Sequence, residues 1–277
     1  MRRKYKNQGL SEEIVHCRLH QAYLERLDFP VANATSNRIW TFEKTPNYMI
    51  WPHVPSAIVH TCPWKPKIVM VLRNPVERLY SQYRMHFEQQ PGSLDLESTL
   101  DIELSTLRKF QLSNAPNISQ WMWNGQRNDE SFQPSPIADE ERDKKDSIRF
   151  RGFGNHGSNP RYLQRGMYIY QIRRWLRNFE LHSELLVLPH EQLRNDMKGA
   201  WEKILNFLGA PYYPLSDSVL QTMYRPSIDS ETRHDTVVPA APLSNVTRSF
   251  LVEFYRPYNH LLADVLGEEW RGLWDDK

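Results

Sequence analysis

Lys67-Ile68-Val69-Met70-Val71-Leu72-Arg73-Asn74-Pro75-Val76-Glu77-Arg78-Leu79-Tyr80-Ser81-Gln82-Tyr83 is the stretch that decides the fold. Its apolar run, rich in β-branched residues, is the pattern of a buried parallel strand. Asn74 then supplies a helix N-cap and Pro75 a pre-set first helical position, so a helix is expected to about Glu88. Arg73 therefore sits where a strand ends, and Ser81 lies eight residues on, about two turns into the helix. Ligands of open α/β sheets bind at the carboxyl ends of the strands. There, an arginine offers a bidentate fork for phosphate and a helical hydroxyl can add a hydrogen bond. The same residues also fit a plainer arrangement, in which Arg73 pairs with Glu77 and Ser81 is a small helix residue.

Outward from this stretch, strands alternate with longer helices. Helices are expected at 11–28, at about 52–60, over 94–112 and 161–180, from Asn195 or Asp196 to Leu208, and at 244–266 with a break at Pro257. Gly209 takes the left-handed position after Leu208. Further strands are expected at 38–42 and 184–188. This alternation makes the chain α/β, with a parallel sheet in one domain over 1–277. Residues 125–160 are polar, with the mixed-charge core Asp139-Glu140-Glu141-Arg142-Asp143-Lys144-Lys145-Asp146. They carry too few apolar groups to offset ordering entropy, so a disordered insertion is expected there.

Composition excludes some classes. The 277 residues carry 35 Lys+Arg against 33 Asp+Glu, a formal charge of +2, which gives no support to a general nucleic-acid binder. The longest apolar run, 68–72, is far too short to span a bilayer. The basic start Met1-Arg2-Arg3-Lys4 leads into polar residues without the apolar core of a signal peptide. Cys17 and Cys62 cannot build a disulfide framework or a cysteine-only zinc site, and two unpaired thiols are expected. His16, His20, His53, His60 and His86 show no metal-ligand spacing, so no metal is expected. Sequons at Asn33, Asn117 and Asn245 permit a secretory location. Trp121-Met122-Trp123 could line a sugar-stacking groove, although core packing accounts for it better.

A second chemical stretch is Thr41-Phe42-Glu43-Lys44-Thr45-Pro46-Asn47-Tyr48. Lys44 is a point cation suited to neutralising charge on a transferring group, and Glu43 could orient it or act as a base. Thr45 before Pro46 is held extended, which stiffens the turn. For these four residues alone, a solvent-exposed turn with a surface ion pair is the better fit.

Taken together, Glu43-Lys44-Thr45-Pro46-x-Tyr48 and the strand-Arg73-x-Pro75-x-x-Arg78-x-x-Ser81-x-Tyr83 run resemble the sulfotransferase family, most closely Golgi carbohydrate sulfotransferases of the heparan sulfate type. Further stretches match in family order. They are Gly166-x-Tyr168 through Trp175-Leu176, Leu185 to Leu188 with Glu191 and Leu193, Phe207-Leu208-Gly209, and Phe254-Tyr255-x-Pro257-x-Asn259. The resemblance implies a P-loop-NTPase-like three-layer α/β fold that uses the sulfate donor PAPS (3′-phosphoadenylyl sulfate) and releases PAP. It also implies a glycan or other small acceptor and the Golgi lumen. It places Arg73 and Ser81 on the 3′-phosphate, Lys44 near the transferred sulfuryl group, and Arg233, weakly, in a late basic phosphate loop.

The family's Pro-Lys-x-Gly-Thr-Thr loop, which wraps the 5′-phosphosulfate, has no counterpart before Glu43, nor does its catalytic glutamate stretch. The chain is therefore expected to be incomplete at its N-terminus, to lack the first strand, and to leave a gap or open sheet edge. The alternative function is a catalytically inactive fragment, or a non-enzymatic interaction protein on the same fold. Gly152-x-Gly154-x-x-Gly157 imitates a dinucleotide fingerprint but lacks its strand and helix, and reads as a linker. No Gly-x-x-x-x-Gly-Lys-Ser/Thr occurs, which disfavours a kinase-like nucleotide site.

Overall fold

In a computed structural model of the chain, the 68–72 run forms β1 (Ile68–Leu72) and the 184–188 run forms β2 (Leu185–Pro189). The structure describes residues 42–62, 65–89, 94–123, 132, 134, 141–142, 161–216 and 241–275. The chain divides into two compact units, Met1–Pro66 and Lys67–Lys277.

In the first unit, a 3-10 turn (Pro46–Met49) precedes α1 (Val54–Thr61). Thr45 is extended at φ −134°, as a residue before proline should be. The helix expected over 11–28 lies outside the described residues. So does the 38–42 strand apart from Phe42, and with it the expected open edge.

The second unit is α/β. β1 and β2 pair in parallel, with Ile68 opposite Leu185 and Leu72 opposite Pro189, and form a two-stranded sheet among the described residues. β2 is buried along Leu185 to Leu188. β1 buries only Met70 and Leu72, while Val69 and Val71 on its other face are exposed, so the continuous apolar run is half-buried rather than enclosed.

α2 (Pro75–Gln89) follows β1 after the sharp cap at Asn74, whose Oδ1 accepts from Val76 N at 2.9 Å and Glu77 N at 3.4 Å. Val76, Leu79 and Tyr83 recur at helical spacing and turn into the core. α3 (Leu96–Lys109) is capped by Asp95 and buries Leu100, Leu104 and Leu107. α4 is Ile118–Trp123. The helix expected over 161–180 is two helices, α5 (Tyr162–Gly166) and α6 (Tyr168–Leu176), hinged at Met167. After β2 come α7 (His190–Asn195) and α8 (Met197–Leu208), the latter capped by Asp196 and ended by left-handed Gly209 at φ +69°.

α9 (Asn245–Leu266) is continuous through Pro257, where a break was expected. A proline inside a helix costs about 3 kcal/mol. Phe250, Phe254, Tyr255, Tyr258 and Leu262, all buried, lie on both sides of it, and burying them outweighs that cost. Trp121 belongs to the same core, edge-on to Phe250 at 5.5 Å between centroids, rather than to an open groove. Most of 125–160, including 152–157, lies outside the described residues. Two described members of that stretch are nevertheless core: Phe132 packs against Phe250, and Arg142 lies 3.5 Å over the Tyr170 ring. These anchors went unread because isolated apolar groups and an arginine stem leave no periodic pattern.

Candidate functional site

The site is built at the carboxyl ends of β1 and β2. Three contacts fix the backbone around Arg73. The Tyr168 hydroxyl donates to Arg73 O at 2.9 Å. The next amide, Asn74 N, donates to Glu191 Oε1 at 3.1 Å, tying the tip of β1 to the helix that follows β2. The Asn74 side chain then fixes the first turn of α2. Tyr168 is buried, which pushes its pKa up to about 12 and keeps the hydroxyl a donor at neutral pH. With its backbone held, Arg73 still presents its side chain 40% exposed, a fork available to a ligand.

Glu77 and Ser81 lie four residues apart on one side of α2, and Arg73 stands just before the helix begins. Ser81 is exposed. Arg73 Nη2 lies 3.9 Å from Glu77 Oε2. The ion pair that competed with the phosphate reading is thus present, though loose.

Sequence reasoning missed two members of this neighbourhood. Arg248, in the first turn of α9, donates from Nη1 to Glu77 Oε1 at 2.7 Å. It stands 171 residues from Glu77 in the chain, so no local pattern could have joined them. His190 opens α7 and has its pKa lowered, first by burial and then by the adjacent Arg73, with Arg194 adding to this and Glu191 opposing it. Its neutral form is favoured beside the arginines.

Lys44 lies in the first unit and is exposed. Beside it, Glu43 Oε1 accepts from Thr45 Oγ1 at 2.9 Å and from the Tyr48 hydroxyl at 2.7 Å. The glutamate therefore braces its own turn, and the Tyr of the Glu-Lys-Thr-Pro-x-Tyr pattern has a defined partner. Cys62 is a free thiol whose pKa is raised by burial and further by Glu43. Cys17 and Arg233 lie outside the described residues. Among the described residues no group of three or more His, Cys, Asp or Glu side chains could hold a metal ion.

Other family-like stretches have structural roles that converge here. Gly166 is required by the close approach of Tyr255: a Cβ at 166 would stand 2.7 Å from the Tyr255 ring. The Tyr255 hydroxyl in turn donates to Leu163 O at 3.1 Å. The Gly-x-Tyr and Phe-Tyr-x-Pro stretches therefore pack on each other, and Tyr168 carries that packing to Arg73 O.

Known proteins resemble this chain in sequence. Carbohydrate sulfotransferase 15 of Mus musculus is 27% identical over 220 residues, covering 79% of this chain and 33% of that protein. The Homo sapiens protein of the same name is 26% identical over the same span. The bifunctional heparan sulfate N-deacetylase/N-sulfotransferase 4 of Mus musculus is 24% identical over 249 residues, covering 86% of this chain and 23% of that protein. The chain thus spans about a third or less of the length of these relatives. A solved sulfotransferase from Alicyclobacillus acidocaldarius gives a TM-score of 0.47 at 17% identity, covering 81% of this chain and 64% of that one. The sulfotransferase domain family matches residues 4–248, a span that holds both chemical stretches and Arg248, and the chain belongs to that family.

Proposed function

We propose that this protein binds PAPS and transfers its sulfuryl group to a hydroxyl or amine of a carbohydrate acceptor. The observation that carries the reading is Arg73: its backbone is held by Tyr168 and its neighbour Asn74 by Glu191, while its guanidinium stays open to solvent. In the transfer, the bond from sulfur to the bridging oxygen of the 5′-phosphate breaks and a bond from sulfur to the acceptor forms. The acceptor proton leaves with a base, and PAP departs as the product. Catalysis of this kind is positioning plus neutralisation of charge on the leaving phosphate. Arg73 and Ser81 hold the 3′-phosphate, and Lys44 neutralises charge near the sulfuryl group. Arg233 is carried as a further phosphate contact on family resemblance alone.

The names of the relatives support a carbohydrate acceptor. The Golgi lumen is the proposed location, again by resemblance. No helix among the described residues is long and apolar enough to cross a membrane. The sequon Asn245 is exposed at the start of α9.

Titration calorimetry with PAP tests the reading. Removing a charge-assisted bidentate contact costs about 1.5–3 kcal/mol, so Arg73→Ala is expected to weaken PAP roughly 10- to 100-fold. Unchanged affinity would sink it. Radiolabelled PAPS offered with a panel of desulfated glycans then reads transfer directly. PAP binding without transfer to any glycan would favour a non-enzymatic protein on the same fold.

A further inference from the structure

Glu77 is gripped by two arginines from opposite ends of the second unit. Arg248 holds one carboxylate oxygen at 2.7 Å, and Arg73 approaches the other at 3.9 Å. All three side chains are more than a third exposed. The cluster is therefore an open site rather than a sealed ion pair, and it carries one positive charge in excess.

Both arginines are held in place. The backbone of Arg73 is fixed by the contacts already described. Arg248 follows a cap in which Ser244 Oγ accepts from Thr247 N at 3.0 Å and Thr247 Oγ1 donates to Glu97 Oε1 at 2.5 Å. Just upstream, the Tyr80 hydroxyl donates to Ala241 O at 2.9 Å, which ties this segment to α2. The first turns of α2 and α9 meet here, each bringing the positive end of a long helix. A single carboxylate thus lies between two forks that fit a doubly charged phosphate better, because phosphate offers more charge and more acceptor oxygens.

We infer that Arg248 is a second arginine of the 3′-phosphate site, and that Glu77 occupies that site until the phosphate displaces it. This rests on the reading of Arg73 as a 3′-phosphate residue. Glu77 then acts as an internal competitor. It keeps two like charges together in the empty site, and it lowers the affinity for PAP, whose 3′-phosphate must displace it, while leaving a nucleotide without that phosphate unaffected.

The test compares PAP with adenosine 5′-phosphate, which has no 3′-phosphate, by titration calorimetry of the wild type and of Arg73→Ala, Arg248→Ala and Glu77→Gln. Arg248→Ala is expected to weaken PAP about tenfold while leaving adenosine 5′-phosphate unchanged. Glu77→Gln keeps both arginines and the shape of the side chain, and is expected to tighten PAP several-fold. If Arg73→Ala weakens PAP while Arg248→Ala and Glu77→Gln leave the ratio of the two affinities at its wild-type value, the inference is overturned and the Arg73 reading stands. If Arg73→Ala has no effect either, or the wild type does not prefer PAP, both are overturned. Should Arg248→Ala not fold, Glu77→Gln decides alone: tighter PAP supports the inference, and unchanged or weaker PAP refutes it.

Discussion

Glu103 has no exposed surface, yet it carries a carboxylate. Its reason for being buried lies sixty residues away. The N-cap of α5, Arg161, is left-handed at φ +53° and offers no side-chain cap. Glu103 supplies one instead: Oε2 accepts from Leu163 N and Oε1 from Gln164 N, each at 3.0 Å. The helix end is thus satisfied from α3 rather than from its own sequence. Glu103→Ala leaves these buried amides unpaired and is expected to cost about 2–4 kcal/mol, read as a lowered urea midpoint. Glu103→Gln, which keeps one acceptor oxygen, should fall between. A loss under 0.5 kcal/mol, the range of ordinary surface changes, would show that the cap is dispensable.

At the scale of elements, the decisive contact is the crossing of α9 over the junction between α5 and α6. Gly166 lets Tyr255 come within a distance no Cβ would tolerate, and Tyr255 is fully buried and cannot swing aside. Gly166→Ala is therefore expected to destabilise the fold by about 1–3 kcal/mol through overpacking. It should also weaken PAP binding, because the displaced junction carries Tyr168, whose hydroxyl holds Arg73 O. Gly209→Ala is the matching control. It is strained only by its left-handed backbone, with open space around it, so about 1–2 kcal/mol should be lost with PAP affinity kept. Thermal melts and calorimetry on the two variants separate the effects, and equal PAP affinities would break the proposed link from Gly166 to Arg73.

At the scale of the whole molecule, two half-buried histidines set an acid limit. His86, whose Nδ1 lies 3.0 Å from the Tyr162 hydroxyl, has its pKa lowered by burial and then by Arg165. His190 is lowered by burial and then by Arg73. A histidine with a depressed pKa in the fold binds fewer protons folded than unfolded. Stability is therefore expected to fall as pH drops below the ordinary value of 6.5 toward the folded-state values. Urea midpoints between pH 7.5 and about 5 measure the slope. His86→Gln should flatten it, and an unchanged slope would remove His86 from the account. At the alkaline end the sign reverses: Tyr168, raised by burial to about 12, contributes stability that is lost as pH climbs past 10.

Sequence alone determined what depends on neighbours along the chain. The strand at 68–72, the cap at Asn74, the Asp196 and Gly209 limits of α8, and the stiff turn at Thr45-Pro46 each follow from a few adjacent residues, and each formed as read. The family was legible for the same reason, because its stretches are local. What depends on residues far apart needed the tertiary structure. Pro257 stays helical because packing on both sides outweighs a local penalty. Phe132 and Arg142 are core because a surface elsewhere accepts them. Arg248 reaches Glu77 only because α9 folds back onto the start of α2. Local propensity is encoded residue by residue, whereas the meeting of two charges across 171 positions is decided by the way the helices pack.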